Sequence, residues 1–341
     1  MRWRISAFRT APDFWQNPEP TWMAMVLRPI AAIYGAITAL RMRNSGERAS
    51  HPVICIGNVT AGGAGKTPMA LAVAALLRQL GVSAAIVSRG YAGALTGPVV
   101  VDPAIHNAAD VGDEPLMMAQ LTPVIVARHR PHGAELAKAT GAGITILDDG
   151  LQNSSLIKDF TLAVIDGAVG IGNGLCLPAG PLRAPIDALI IIGQKSARQA
   201  ASTDVLAQTA RRMGKPVFTS QFVPDATLAE ALKGRRVLAL AGIGRPQKFT
   251  DTLLQLGANV VETAFFGDHH SFTQHELMGV SARASAANAM VVTTQKDAAR
   301  IGASWDKTQL GQLHVLPVVL RLDDEAGFVA LLRPFAVSSG A

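Results

Sequence analysis

Cys55-Ile56-Gly57-Asn58-Val59-Thr60-Ala61-Gly62-Gly63-Ala64-Gly65-Lys66-Thr67 decides how this chain is read. An apolar run, Val53 to Ile56, enters a glycine-rich turn that closes on Gly-Lys-Thr. A helical pattern, Met69 to Leu80, follows. Strand, loop and helix in that order are the setting of a phosphate-binding P-loop. Glycines let backbone N–H groups converge on phosphate oxygens, and the helix N-terminus adds its dipole. The cradle runs through Thr60, Ala61, Gly62, Gly63, Ala64 and Gly65. Lys66 is placed to reach the β/γ-phosphates and Thr67 to hold Mg²⁺. The first glycine of G-x-x-x-x-G-K-[ST] falls at Thr60, so the match is incomplete. The competing reading is a plain glycine-rich turn beside a surface lysine.

Outward from that loop, composition narrows the class. A chain of 341 residues has room for two domains with their own cores. It is 49% hydrophobic and 16% charged, with mean hydropathy +0.27. That exceeds an ordinary soluble enzyme and implies apolar surface that meets lipid or a partner. The net charge of +6 favours an anionic partner. Aromatic residues make up only 5% and do not interleave with the basic ones, which argues against nucleic acid. Two cysteines, Cys55 and Cys176, support neither a disulfide framework nor a zinc site. A reducing compartment fits, with Cys55 as a small buried apolar residue.

Trp22 to Leu40 is largely apolar but interrupted by Arg28-Pro29. That leaves Ile30 to Leu40 as the longest clean stretch, short of the about 20 apolar residues that a spanning helix needs. Arg2, Arg4, Arg9, Arg28, Arg41 and Arg43 flank it, with Trp3, Trp15 and Trp22 as interfacial aromatics. Two readings stand: a helix lying in an anionic leaflet, or an amphipathic helix packed on the protein's own core.

Beyond a polar linker at 41–51, apolar runs alternate with helical patterns. Strands are expected at Val53–Ile56, Ala84–Val87, Val124–Val126, Ile144–Leu147, Leu162–Ile165 and Leu189–Ile192. Helices are expected at Met69–Leu80, Glu114–Gln120 and Gly133–Thr140. Short β-rich runs bounded by turns suit buried parallel strands. The alternation predicts a P-loop NTPase-like, doubly wound α/β domain with ligands at the strands' C-terminal ends. After a looser stretch around 215–236 a second alternation begins. It predicts strands at Val237–Ala241, Asn259–Val261, Met290–Thr293 and Leu313–Val319, with helices at Gln247–Leu256 and His275–Ala289. The expected division is an N-terminal segment (1–48), a P-loop core (49–215) and a smaller α/β domain (216–341).

Three further motifs carry chemistry. Ile144 to Leu147 ends in Asp148-Asp149-Gly150, an acidic pair at a strand tip in the manner of a Walker B site holding Mg²⁺. Asp110-Val111-Gly112-Asp113-Glu114-Pro115 leads into a helix, with Asp113 either an N-cap or a general base near the γ-phosphate. Gly267-Asp268-His269-His270 suggests metal, but no spacing completes a ligand set; a His orienting a carboxylate base is the other reading, against a surface loop.

Together these residues resemble the tetraacyldisaccharide 4′-kinase family over nearly the whole length. The resemblance is carried by Gly57-Asn58-Val59-Thr60 running into Gly62–Pro68, by Ser88-Arg89-Gly90-Tyr91 and by Gly112-Asp113-Glu114-Pro115. It continues through Leu147–Gly150, Leu177-Pro178-Ala179-Gly180-Pro181-Leu182-Arg183, Asp268-His269-His270 and Thr294-Gln295-Lys296-Asp297. Thr60 in place of the first glycine is typical of that family. The resemblance implies ATP- and Mg²⁺-dependent phosphorylation of the distal glucosamine 4′-hydroxyl of a membrane-embedded tetraacyldisaccharide 1-phosphate, a lipid A precursor. It implies peripheral attachment to the cytoplasmic face of the bacterial inner membrane, without an obligate protein partner. Asp113 matches the base, His269 its dyad partner, and Asp148 and Asp149 the metal-associated pair. Arg128, Arg130, Asn153 and Arg183 match substrate or phosphate contacts. Catalysis is then expected to need closure of two domains.

Three positions depart from the family pattern: Asn153 for a histidine, Ala184 for a glutamate and Gln295 for a glutamate. Rival functions are a P-loop GTPase, a non-enzymatic membrane-surface adaptor, and a kinase of a soluble sugar or nucleoside. The missing Asn-Lys-x-Asp disfavours the first. Retained Lys66, Thr67 and Asp149 disfavour the second, and the apolar N-terminus the third.

Overall fold

The computed structural model describes residues 21–43, 46–58, 65–167, 186–193 and 200–338. Among them, thirteen strands form two sheets. The larger uses β1 (Val53–Asn58), β2 (Ala84–Ser88), β3 (Val99–Val100), β4 (Val124–Val126), β5 (Ile144–Asp148), β6 (Phe160–Asp166), β7 (Ala188–Ile192) and β8 (Val217–Pro224). The smaller uses β9 (Arg236–Ala241), β10 (Asn259–Phe265), β11 (Met290–Thr294) and β12 (Leu313–Leu316). A last strand, β13 (Val318–Leu322), returns to the larger sheet.

The larger sheet has the order β13-β8-β7-β6-β1-β5-β2-β4-β3, parallel except where β3 and β13 close its edges. Its central strands are buried on both faces, which is why they read as continuous apolar runs and not as alternating ones. The chain builds outward from β1 toward β4, returns to β5, and then crosses to β6 on the opposite side of β1. The switch point therefore lies at the C-terminal end of β1, where the glycine-rich loop begins.

The helix Lys66–Gln79 follows that loop and buries Met69, Ala70, Val73, Ala74, Leu76 and Leu77. Each large side chain among them is worth about 1.5–3 kcal/mol of burial. Gly81, at φ 81°, ends the helix: its N–H donates to Arg78 O and Val82 N–H to Leu77 O. The C-terminal helix Glu325–Ser338 covers this one, with Phe328 and Leu332 joining the same core. Cys55 is fully buried, and burial pushes its thiol up to about 12, an inert apolar residue as expected.

Two expectations change. Leu313–Val319 is not one strand: Pro317, which has no N–H to give a ladder, separates β12 from β13, and the two lie in different sheets. Consequently the division at 215/216 does not follow sheet membership. Residues 217–224 and 318–338 build onto the larger sheet, and the smaller lobe is the stretch between them. The second sheet, order β10-β9-β11-β12, is wholly parallel.

The helix Trp22–Arg43 contains Pro29 and has no acidic residue in its first turn. Trp22, Met25, Val26, Ile30 and Ile33 are exposed, Trp22 by 72%. This favours an apolar face turned outward over one packed on the core. No helix of the described residues is long and apolar enough to cross a membrane.

Candidate active site

A cleft of about 1470 Å³ lies between the lobes and is bordered by both. Its floor is the end of the glycine-rich loop. Residues 59–64, and with them Thr60, Ala61, Gly62, Gly63 and Ala64, lie outside the described residues, as does Arg183. Gly65 is described, at φ 81°, and a Cβ there would stand 2.7 Å from Ile192 Cδ1. Only glycine fits both the left-handed turn and the close packing.

Lys66 and Thr67 open the helix, facing the tip of β5. Lys66 Nζ lies 3.3 Å from Asp149 Oδ1, and Thr67 Oγ1 donates to Asp148 Oδ2 at 3.5 Å. Adjacent parallel strands make this meeting possible: Ile56 on β1 is in register with Asp148 on β5. Asp149 takes φ 56° and turns its carboxylate to the lysine, while Asp148 stays buried. Asp148 Oδ1 is buried with no hydrogen-bond partner among the described residues. Burial, then the Glu114 and Asp149 charges, push the Asp148 carboxyl up to about 7, against Lys66 and Arg130. An orphaned carboxylate oxygen beside a hydroxyl and a second carboxylate is an oxygen donor set that suits Mg²⁺. No cluster of three or more His, Cys, Asp or Glu side chains among the described residues forms an all-protein metal cage.

Asp113 is the first residue of the helix Asp113–Ala119, whose cap is Gly112 at φ 91°. It is therefore not the N-cap. Glu114 N–H donates to its Oδ1, and its Oδ2 faces the other lobe. There His269 Nδ1 stands 3.1 Å away. The two adjacent histidines have divided roles. His270 stacks on Phe266 at 4.7 Å between ring centroids and is hydrogen-bonded to Glu276, which also closes the capping box of the helix Gln274–Ala286. With His270 anchored, His269 at φ 58° turns its ring into the cleft, edge-on to Tyr91 at 5.7 Å.

Arg128 is exposed on the cleft wall, but Arg130 is buried. Arg130 donates to Ala127 O at 3.1 Å and Asp148 O at 3.2 Å, bracing the acidic turn. Asn153 borders the cleft and accepts from Ser155 N–H and Oγ within its own turn. Gln295 Oε1 accepts from Val318 N–H at 3.2 Å, an acceptor role open to an amide or a carboxylate oxygen.

Sequence reading did not single out the ion pairs that join the lobes. Lys296 Nζ lies 2.6 Å from Glu114 Oε1. Burial opposes the Glu114 charge, but Lys296 outweighs it and draws the carboxyl below its usual range; Lys296 is raised in return. Arg300 Nε reaches Asp113 Oδ2 at 3.5 Å. On the far side of the cleft, Asp166 at the end of β6 meets Arg245 at 2.5 Å and Lys248 at 3.4 Å. Lys296 and Glu114 stand in the Thr294-Gln295-Lys296-Asp297 and Gly112-Asp113-Glu114-Pro115 motifs, but nothing local pairs one with the other.

A lysine at the head of the first helix, an acidic strand tip beside it and a carboxylate–imidazole pair across the cleft define a P-loop-type phosphotransferase. The family model described as tetraacyldisaccharide-1-P 4′-kinase, LpxK, matches residues 23–336. The chain is 47% identical to the tetraacyldisaccharide 4′-kinase of Bradyrhizobium sp. strain BTAi1, over 96% of this chain and 99% of that one. It is 49% identical to the enzyme of that name from Methylobacterium sp. strain 4-46, over 95% and 98%. Its fold is similar to a crystal structure of LpxK from Aquifex aeolicus in complex with ATP, with TM-score 0.68 and 25% identity, covering 92% of this chain and 99% of that one. The chain belongs to the tetraacyldisaccharide 4′-kinase family.

Proposed function

We propose that the chain uses ATP to phosphorylate the 4′-hydroxyl of a tetraacyldisaccharide 1-phosphate in lipid A biosynthesis, with Asp113 as general base. The observation that carries the site assignment is the 3.1 Å contact between His269 Nδ1 and Asp113 Oδ2, in the cleft that Lys66 also lines. Asp113 Oδ2 accepts the proton of the attacking hydroxyl, and His269 orients that oxygen and shares the proton. Lys66, held ready by Asp149, stabilises charge on the transferring phosphoryl. Thr67, Asp148 and Asp149 would hold Mg²⁺, whose charge would neutralise β- and γ-phosphate oxygens. Arg128 lines the same cleft, where its charge suits a substrate or nucleotide phosphate.

A substrate carrying four acyl chains stays in the bilayer, so the enzyme must come to the surface. The exposed apolar face of Trp22–Arg43, with Arg28 beside it, supports peripheral attachment at the cytoplasmic face of the inner membrane.

Transfer of labelled γ-phosphate from ATP–Mg²⁺ to tetraacyldisaccharide 1-phosphate in mixed micelles tests this reading. Wild type is expected to form labelled bisphosphate, and Lys66→Ala and Asp113→Ala to lose it. ATP binding or hydrolysis without lipid product would reject the reading.

A further inference from the structure

The helix Gln295–Ile301 brings a second cation to the carboxylate already paired with His269. Arg300 Nε lies 3.5 Å from Asp113 Oδ2, the oxygen that His269 Nδ1 also meets. Both side chains are 6% exposed. Arg300 Nη1 is buried with no hydrogen-bond partner among the described residues.

Arg300 is held rigidly from behind. Its Nη2 donates to Asp297 Oδ1 at 2.8 Å, and its Nε also donates to Lys296 O at 3.4 Å. Asp297 is fully buried and fixed in turn by Gly242 N–H at 3.0 Å and the Thr294 hydroxyl at 2.7 Å. All of these anchors belong to the smaller lobe, whereas Asp113 belongs to the larger. From this geometry we infer that Arg300 is a positioning residue: it compensates the charge of the Asp113 carboxylate and aims it, so the base is complete only when the lobes are docked.

The physical need is clear. Burial penalises a carboxylate's charged form, and an adjacent guanidinium offsets that penalty. A protonated Asp113 could not accept a proton from the hydroxyl. The other charged groups facing this carboxylate are His269 from its loop, Glu114 on its own helix, and Lys296 beside Arg300. Lys296 is engaged by Glu114, with Asp268 also nearby in charge. Arg300 is thus the permanent cation among the described residues in ion-pair contact with Asp113.

The inference rests on Asp113 being the base, and one assay separates the two claims. Full-length wild type, Arg300→Gln and Arg300→Lys are compared for kcat and both KM values in mixed micelles. ATP binding and thermal melting check the fold. Arg300→Gln is expected to lower kcat by about 10–100-fold with both KM values little changed. Arg300→Lys is expected to restore most of kcat. A folded Arg300→Gln protein with wild-type kcat, or one whose loss lies in KM and not in kcat, would overturn the inference. If Arg300→Gln does not fold, Arg300→Lys decides. Within about 10-fold of wild-type kcat, it supports the inference. Folded and ATP-binding yet as inactive as Asp113→Ala, it refutes it. Failure of wild type to phosphorylate the lipid would instead reject the reading of the reaction.

Discussion

His269 Nδ1 lies 3.1 Å from Asp113 Oδ2 although 156 residues separate them in the chain. One sits on a helix of the nine-strand lobe and the other on a loop of the four-strand lobe. Their meeting therefore depends on how the two lobes dock. Asp113→Asn should lower kcat by about 10²–10⁴-fold, the range for loss of a general base, while leaving ATP affinity near wild type. His269→Gln should cost less, and the double variant should be no worse than Asp113→Asn alone, the outcome expected of two groups that work as one unit. Additive losses in steady-state kinetics would show that they act separately.

Asp148 predicts a pH-dependent stability. Its folded carboxyl stands near 7, above its ordinary value of 3.8. The folded state therefore holds a proton that the unfolded chain releases between about pH 4 and 7, and this group's contribution to stability falls as pH rises through that window. In EDTA, Asp148→Asn should melt higher than wild type at pH 7.5, and the gap should close toward pH 5. Added Mg²⁺ should stabilise wild type at pH 7.5 and not the variant.

Glu114 and Lys296 form a lobe-to-lobe ion pair, each about one-third exposed. Glu114→Lys should weaken docking, and Glu114→Lys with Lys296→Glu should recover part of the loss. A double-mutant cycle read by thermal melting should give a coupling of about 0.5–1 kcal/mol, reduced at high salt. Zero coupling would mean that shape alone sets the docking.

The outward face of Trp22–Arg43 predicts a surface role without a stability role. Val26→Glu with Ile30→Glu should leave the melting temperature within about 1–2 °C, since exposed substitutions change stability little. Co-sedimentation with anionic vesicles should fall several-fold, and turnover on vesicle-bound substrate should fall with it. A large drop in melting temperature would instead place this face against the protein.

Much of the larger lobe was legible along the chain. Val53–Asn58, Ile144–Asp148 and Phe160–Asp166 are apolar throughout because both their faces are covered, and the Gly65-Lys66-Thr67 turn marks the helix that follows. The apolar run Leu313–Val319 gives no sign that its two halves, parted at Pro317, pair with different sheets. The histidine pair was ambiguous for a similar reason. His269 and His270 differ only in what surrounds them, and the Phe266 and Glu276 contacts that anchor His270 come with folding.

The phosphate-binding class, the acidic strand tip and the apolar N-terminal helix can be read along the chain, because each depends on neighbours a few residues apart. Periodicity and turn chemistry act at that range. The tertiary structure alone decided that Asp113 meets His269 and Arg300, that Lys296 meets Glu114, and that the last strand returns to the first sheet. Those pairings depend on how two separately built sheets dock, and short-range patterns carry no record of it.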